Sequence, residues 1–571
     1  MNHPDTSSSI TLAEYLGRRL LQAGVDHLFG VPGDFNLTLL DELTTLPLRW
    51  VGSPNELGAG YAADAYARHR GLAALVTTYG VGELSCLNAV AGSAAEDVPV
   101  VHVVGSPTTT AVAERRLVHH TLADGVFDRF ANAYAEVTVH QETVVAERAT
   151  AQIDAALRAA LTHRKPVYLS IPQDLATLPV DPAPLARPLV VTSEPAALQN
   201  LTDRLAGLLG SAVRPVLVVG HLVPRFGLGQ AVVDAARAAG IPLVTSVAAK
   251  GAVDASEPLY HGDYAGTMVD EATAALVTDA DLVLELGTVA TDVLSGYFTH
   301  RPVDDQVVRF GATSVAIGRS EPVRVLFADA VAALADVCGR VRFAPPPPRT
   351  ARPAPAATEG PLTQQALWTT VQEWLPSGTA VLADTGTSFW GALSLTLPDD
   401  TVFLGQPIWN SIGYALPAVL GQGLADPERR PVLFIGDGAA QMTAQELGTI
   451  SAAGLTPIVV LLNNRGYTIE RALQSPTAQY NDVVDWDWRA LVVALAGPKV
   501  DYRTAETTAE LRDALAAAAA TTDALSVVEV TLDPFDAPPL LRALAERNRS
   551  SLGAAAAPSG AVAALAGGSA A

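Results

Sequence analysis

The stretch that most constrains this chain is residues 430–470, RPVLFIGDGAAQMTAQELGTISAAGLTPIVVLLNNRGYTIE. Pro431 to Ile435 is a short run rich in Val and Ile, as in a strand buried on both faces of a parallel sheet. Gly436-Asp437-Gly438 follows, and a turn there would use the torsional freedom of glycine. A helical period then places Met442, Leu447 and Ile450 on one side. Pro457 to Leu462 is a second apolar run, closed by Asn463-Asn464-Arg465-Gly466. This predicts one βαβ unit with Asp437 and Asn464 just past the carboxyl ends of its strands, the edge at which open α/β sheets bind ligands. A carboxylate and an amide oxygen are hard donors suited to Mg²⁺ completed by phosphate oxygens and water. The amides after Gly438 open a helix, where unpaired N–H groups favour anions. The bland reading is a structural Asp in a glycine turn with a helix-capping Asn.

GDG with NN 24 residues further on resembles the cofactor motif of thiamine diphosphate enzymes. The longer strings GDGAAQMTAQELG and LLNNRGYTIE are similar to the pyruvate and indolepyruvate decarboxylase branch, and the likeness covers roughly residues 10 to 548. It implies three doubly wound parallel-sheet α/β domains. These are a pyrimidine-binding domain over 1–182, a middle domain of vestigial nucleotide type over 190–343, and a diphosphate- and Mg²⁺-binding domain over 362–550. A Pro/Ala linker over 344–361 separates the last two, and a low-complexity tail over 551–571 is expected to be disordered. The Pro-rich run from Ile171 to Leu189 also reads as a linker. In the first domain His27–Val31, Leu48–Gly52, Ala73–Thr78, Val98–Gly105 and Val167–Ile171 read as strands alternating with helices.

Several residues acquire roles through the resemblance. In VPGDFNL, Asp34 could simply cap the next helix; the family's matching residue is an acid of the catalytic site. In SPNELGAGYAAD, Glu56 could be an ordinary carboxylate at a helix start; the resemblance places it against N1′ of the cofactor aminopyrimidine, as a general acid–base group. The adjacent pair His119-His120 would point two ways in regular structure, yet HHTL with the following DG matches the decarboxylases and puts both near the substrate. Glu470 lies one helical turn after Gly466 and by resemblance handles the substrate carboxylate and a later protonation. Glu83, in TTYGVGELS, belongs to the same pattern without an assigned role.

By the same resemblance the cofactor contacts Glu56, Thr387, Asn410, Ser411, Ile412, Asp437, Gly438, Ala439, Asn464, Gly466 and Tyr467, and Mg²⁺ is held by Asp437, Asn464 and Gly466. Ile412 matches the apolar wedge that bends the cofactor. Asn410 stands where the family usually has glycine, which puts the local turn in question. Pocket positions are Val293, Phe389, Trp390, Ile469, Leu473, Leu544 and Asn548; Phe389 and Ile469 would narrow the pocket and Val293 would open it. The expected reaction is non-oxidative decarboxylation of 2-oxo acids to aldehydes and CO₂. Branched-chain or aromatic substrates are preferred and pyruvate is poorer. The alternatives are a pyruvate decarboxylase proper or a carboligase of the acetolactate synthase type, which would bind FAD; no Gly-x-Gly-x-x-Gly follows Val219. The resemblance further implies a homodimer at least, and a homotetramer as a dimer of dimers, with Glu56 and Asp437 of each site coming from different chains.

The net charge of −22 argues against nucleic acid and anionic membrane surfaces as partners. The two cysteines, Cys86 and Cys338, offer neither a disulfide framework nor a metal site. With no basic-then-apolar leader and no apolar run of spanning length, a cytoplasmic protein is expected.

Overall fold

The computed structural model describes residues 9–300, 302–347, 349 and 358–556. Three six-stranded sheets carry the chain. The first runs in space Arg49–Gly52, His27–Gly30, Ala73–Thr78, Val100–Ser106, Val167–Pro172, His140–Thr143, all parallel. The last runs Val402–Leu404, Thr379–Ala383, Arg430–Gly436, Ile458–Asn463, Ser526–Thr531, Asp501–Ala505, again all parallel. Numbered by their own sequence, both sheets have the strand order 2-1-3-4-6-5. In both, the chain reverses its winding between the first and third strands, and ligands bind at such switch points. The middle sheet has the order 3-2-1-4-5-6 and is parallel except for its edge strand Val315–Ile317, which pairs antiparallel with Val307–Phe310.

The strands are apolar throughout because both faces are covered. Alternate residues serve different cores: Leu433, Ile435, Val459 and Leu461 join one cluster, while Val432, Phe434, Val460 and Leu462 join another. The first of these clusters is continuous from the first domain into the last. Its seam is the contact between helices Glu56–Arg70 and Ala415–Ala425. A Cβ on Gly421 would stand 1.9 Å from the Ala62 carbonyl oxygen, so only glycine permits this approach. Tyr414 also donates to Asp64 across the seam, 2.6 Å.

Several expectations change. The Gly436-Asp437-Gly438 turn does not exist as such: the strand runs to Gly436 and the helix Asp437–Thr443 begins at once, with Gly436 at φ −75°. Glycine at 438 is required for space, since a Cβ there would meet the Tyr467 ring at 2.5 Å. The helix breaks before a second one, Glu446–Ala452, and Met442 is half exposed while Leu447 and Ile450 are buried. The strand His140–Thr143 had no apolar signal, being an edge strand of sequence HQET. The Pro-rich run after Ile171 is packed on the first domain: Pro179–Val180 pairs with Ile10–Thr11, and buried Arg19 donates to the carbonyls of Pro184 and Arg187, both 2.8 Å. Of the Pro/Ala stretch 344–361, residues 348 and 350–357 lie outside the described residues. The last helix, Pro539–Ala556, passes the expected boundary at 550; residues 557–571 of the expected tail are outside the described residues. Cys86 and Cys338 are buried free thiols. Among the described residues no helix is long and apolar enough to cross a membrane.

Candidate active site

A cavity of about 590 Å³ opens at the switch point of the last sheet. Its floor is the ends of strands Thr379–Ala383, Arg430–Gly436 and Ile458–Asn463: Thr385, Gly386, Thr387, Ser388, Gly436, Asp437, Gly438, Ala439, Asn464 and Gly466. Its walls are Asn410, Ile412, Tyr467, Thr468, Ile469, Glu470 and Leu473, closed by Val293 and Tyr297 of the middle domain, Trp390, and Leu544 of the last helix.

Asp437 is 2% exposed and accepts from the amides of Gly438 (2.7 Å) and Gly466 (3.1 Å). Burial pushes its carboxyl up to about 6. The amide oxygen of Asn464 stands 2.7 Å from the Gly466 carbonyl oxygen and 3.2 Å from Asp437 Oδ1. Three acceptors thus converge with no donor among them. Turning the amide over would place its N–H groups on those two oxygens and its oxygen 2.9 Å from the Thr468 hydroxyl. We favour the first arrangement, because converging carboxylate, amide and carbonyl oxygens are the donor set of a hard divalent cation. The amides at the start of helix Asp437–Thr443 face the same cavity, so the residues present fit a metal-bound diphosphate.

Asn410 adopts φ +57°, the left-handed conformation that Asn tolerates best after glycine, with its side chain donating to the Pro407 carbonyl at 3.1 Å. The turn therefore survives the departure from glycine. Asp384 was missing from the sequence reading. It is 1% exposed and accepts from the amides of Gly413 (3.0 Å) and Ala415 (2.7 Å), pinning the loop of Ile412 to the start of helix Ala415–Ala425. Burial raises it to about 7.

Two expected positions are elsewhere. Ser411 turns away from the cavity, toward Tyr61 (2.7 Å) and Asn88 (3.1 Å). Phe389 is 3% exposed, packed against Trp390 and Phe403, and lines a separate small cavity, so it does not narrow this one. Glu56 is the first residue of its helix, capped by Asn55, and lies off the cavity of its own chain, which is compatible with the expectation that Glu56 and Asp437 of one site come from different chains.

The remaining acid–base groups cluster at the switch point of the first sheet. His119 Nε2 is 2.7 Å from Asp34 Oδ2, and His120 Nε2 is 3.7 Å from Asp34 Oδ1. The Phe35 ring stacks on His119, centroids 4.8 Å apart. None of Asp34, Glu56, His119 and His120 lines the 590 Å³ cavity of the same chain. Around them large apolar side chains stand in the open: Leu117 at 69% and Leu122 at 63% exposed, Leu37 three residues after Asp34, and Val81 and Leu84 just after Gly80, whose Cβ position abuts the His120 carbonyl oxygen.

Comparison with known proteins agrees with this architecture. Family profiles described as the N-terminal TPP binding, central, and C-terminal TPP binding domains of thiamine pyrophosphate enzymes match residues 10–132, 202–337 and 384–530. Fold and site thus define a thiamine diphosphate enzyme, with Mg²⁺ the usual partner metal. The chain is 41% identical over 542 residues to the alpha-keto-acid decarboxylase of Mycolicibacterium paratuberculosis, covering 94% of this chain and 96% of that one. It is 43% identical over 538 residues to that of Mycobacterium tuberculosis (93% and 96%) and 41% over 551 residues to that of Mycobacterium leprae (95% and 96%). The protein belongs to the thiamine diphosphate-dependent 2-oxo acid decarboxylases, which are carboxy-lyases.

Proposed function

We propose that this protein decarboxylates branched-chain or aromatic 2-oxo acids to aldehydes, with pyruvate a poorer substrate, at sites shared between two copies of the chain. The observation that carries the reading is the separation just described: a cavity where the Asp437, Asn464 and Gly466 oxygens converge, and four acid–base groups outside it. A second copy supplies what the first lacks, and the exposed apolar side chains around His119 and His120 are what an interface would bury. The homodimer is the minimum unit and a dimer of dimers the expected assembly.

When bound, thiamine diphosphate supplies the electron sink for loss of CO₂. Asp437, Asn464 and the Gly466 carbonyl would hold Mg²⁺ at the diphosphate, and Ile412, on the loop pinned by Asp384, would support the cofactor. Glu56 of the other copy would hold a proton at the aminopyrimidine. Glu470 faces the substrate carboxylate, and Asp34, His119 and His120 exchange the proton that completes the aldehyde. Val293, Trp390, Ile469, Leu473 and Leu544 form an apolar wall that excludes water. With Phe389 withdrawn, this wall favours larger side chains.

CO₂ release from a panel of 2-oxo acids, with thiamine diphosphate and Mg²⁺, tests the activity. Branched or aromatic acids should give higher kcat/KM than pyruvate; a preference for pyruvate refutes the substrate assignment, and no release refutes the function. Glu56→Gln should lower kcat by about 10²–10⁴ with the fold intact.

A further inference from the structure

Glu83 is the one motif residue that the proposed chemistry does not use. It is 0% exposed, in the short helix Val81–Ser85 that follows strand Ala73–Thr78. Its Oε1 accepts from the Gly80 amide at 2.6 Å and its Oε2 from the Tyr168 hydroxyl at 2.7 Å. Its backbone carbonyl accepts from Tyr134 at 2.5 Å and from the Cys86 thiol at 3.2 Å. A buried carboxyl tied down at both oxygens is an expensive way to hold five residues of helix, and burial pushes it up to about 7.

What it holds lies between two catalytic elements. Gly80 sits at φ +67°, and a Cβ on it would be 2.0 Å from the carbonyl oxygen of His120, itself at φ +59°. The two backbones are in direct contact at positions that both need an unusual conformation. Two residues on, a Cβ on Gly82 would be 3.3 Å from Glu56 Oε1. Segment 79–82, where the chain enters that helix, is thus a spacer with His120 against one end and the Glu56 carboxylate over the other.

We propose that Glu83 is a positioning residue: by gripping the Gly80 amide and the Tyr168 hydroxyl it fixes segment 79–82, and so sets His120 and Glu56 relative to each other. This rests on the roles given above to those two residues. Misplacement of about 1 Å costs on the order of 10²-fold in rate, so a grip of this kind should show in turnover more than in binding.

The test compares full-length wild type, E83A, E83Q and Y168F. The readouts are kcat and KM with thiamine diphosphate and Mg²⁺, deuterium exchange at the C2 position of bound thiamine diphosphate, and amide hydrogen exchange of cofactor-free protein over residues 79–84 and 117–123, with the thermal midpoint as a check of fold. E83A should lower kcat and C2 exchange by about tenfold to hundredfold with KM within about twofold. Its amide exchange should quicken in those two segments and not elsewhere. E83Q keeps an oxygen for Gly80 and can donate to the Tyr168 oxygen, so it should recover to within about threefold of wild type. Should E83A not fold, Y168F removes one of the two partners and should lose about threefold in kcat and quicken the same segments. Wild-type kcat and C2 exchange in E83A, or unchanged readouts in Y168F, would overturn the proposal. So would E83Q as impaired as E83A with the fold intact, which would make the carboxyl a proton donor instead. If wild type releases no CO₂, the failure belongs to the decarboxylase reading, and the amide exchange over 117–123 still decides whether Glu83 holds the His120 segment.

Discussion

Asp384 shows how much of the site rests on a carboxyl that touches no ligand. Its folded value, about 7, lies above the ordinary aspartate value because burial disfavours its charge. The proton is bound more tightly in the folded chain than in the unfolded one. Its contribution to stability is therefore full below about pH 4 and is lost as pH rises toward 7, a swing on the order of 4 kcal/mol. Asp384→Asn removes the titration but keeps one acceptor for Gly413 or Ala415. The thermal midpoint of the variant minus that of wild type should rise between about pH 5.5 and about pH 8. Sequence reading missed Asp384 because Ala-Asp-Thr-Gly after a strand resembles any turn; only the fold brings it to the amides of a loop some thirty residues away. The placement of Asn464 and Asp437 was legible because it is local to two strand ends. Ser411 and Phe389 sit beside true wall residues in sequence, but their side-chain directions depend on tertiary contacts with Tyr61 and Phe403.

Among elements, the alternating strands of the outer sheets were readable because parallel strands buried on both sides are apolar runs. The polar edge strand His140–Thr143 and the antiparallel Val315–Ile317 were not, since edge strands owe their pairing to a neighbour more than to composition. The helix Glu56–Arg70 does two jobs: its first residue carries the proposed proton relay, and Gly58 to Ala67 are buried as the seam to the last domain. Its start is set by Asn55, whose side chain accepts from the Gly58 amide at 2.8 Å. Asn55→Ala should lower stability by about 1 kcal/mol in a denaturant titration. It should also slow turnover more than it weakens substrate binding, because the first turn that aims Glu56 is freed.

For the whole molecule, the division of groups between the two switch points decides how sites can be complemented. Glu56→Gln and Asp437→Ala should each be nearly inactive alone. After mixing under conditions that exchange subunits, half of the dimers are mixed and each of those has one of its two sites intact. About a quarter of wild-type activity should return. No recovery despite demonstrated exchange would place both groups of a site on one chain. On the shared-site reading, the gap between the cavity and the Asp34–His119–His120 cluster also governs the onset of activity after synthesis. A newly folded chain is inert until it meets another, so competence is gained with second-order kinetics and would fail first where the protein is most dilute.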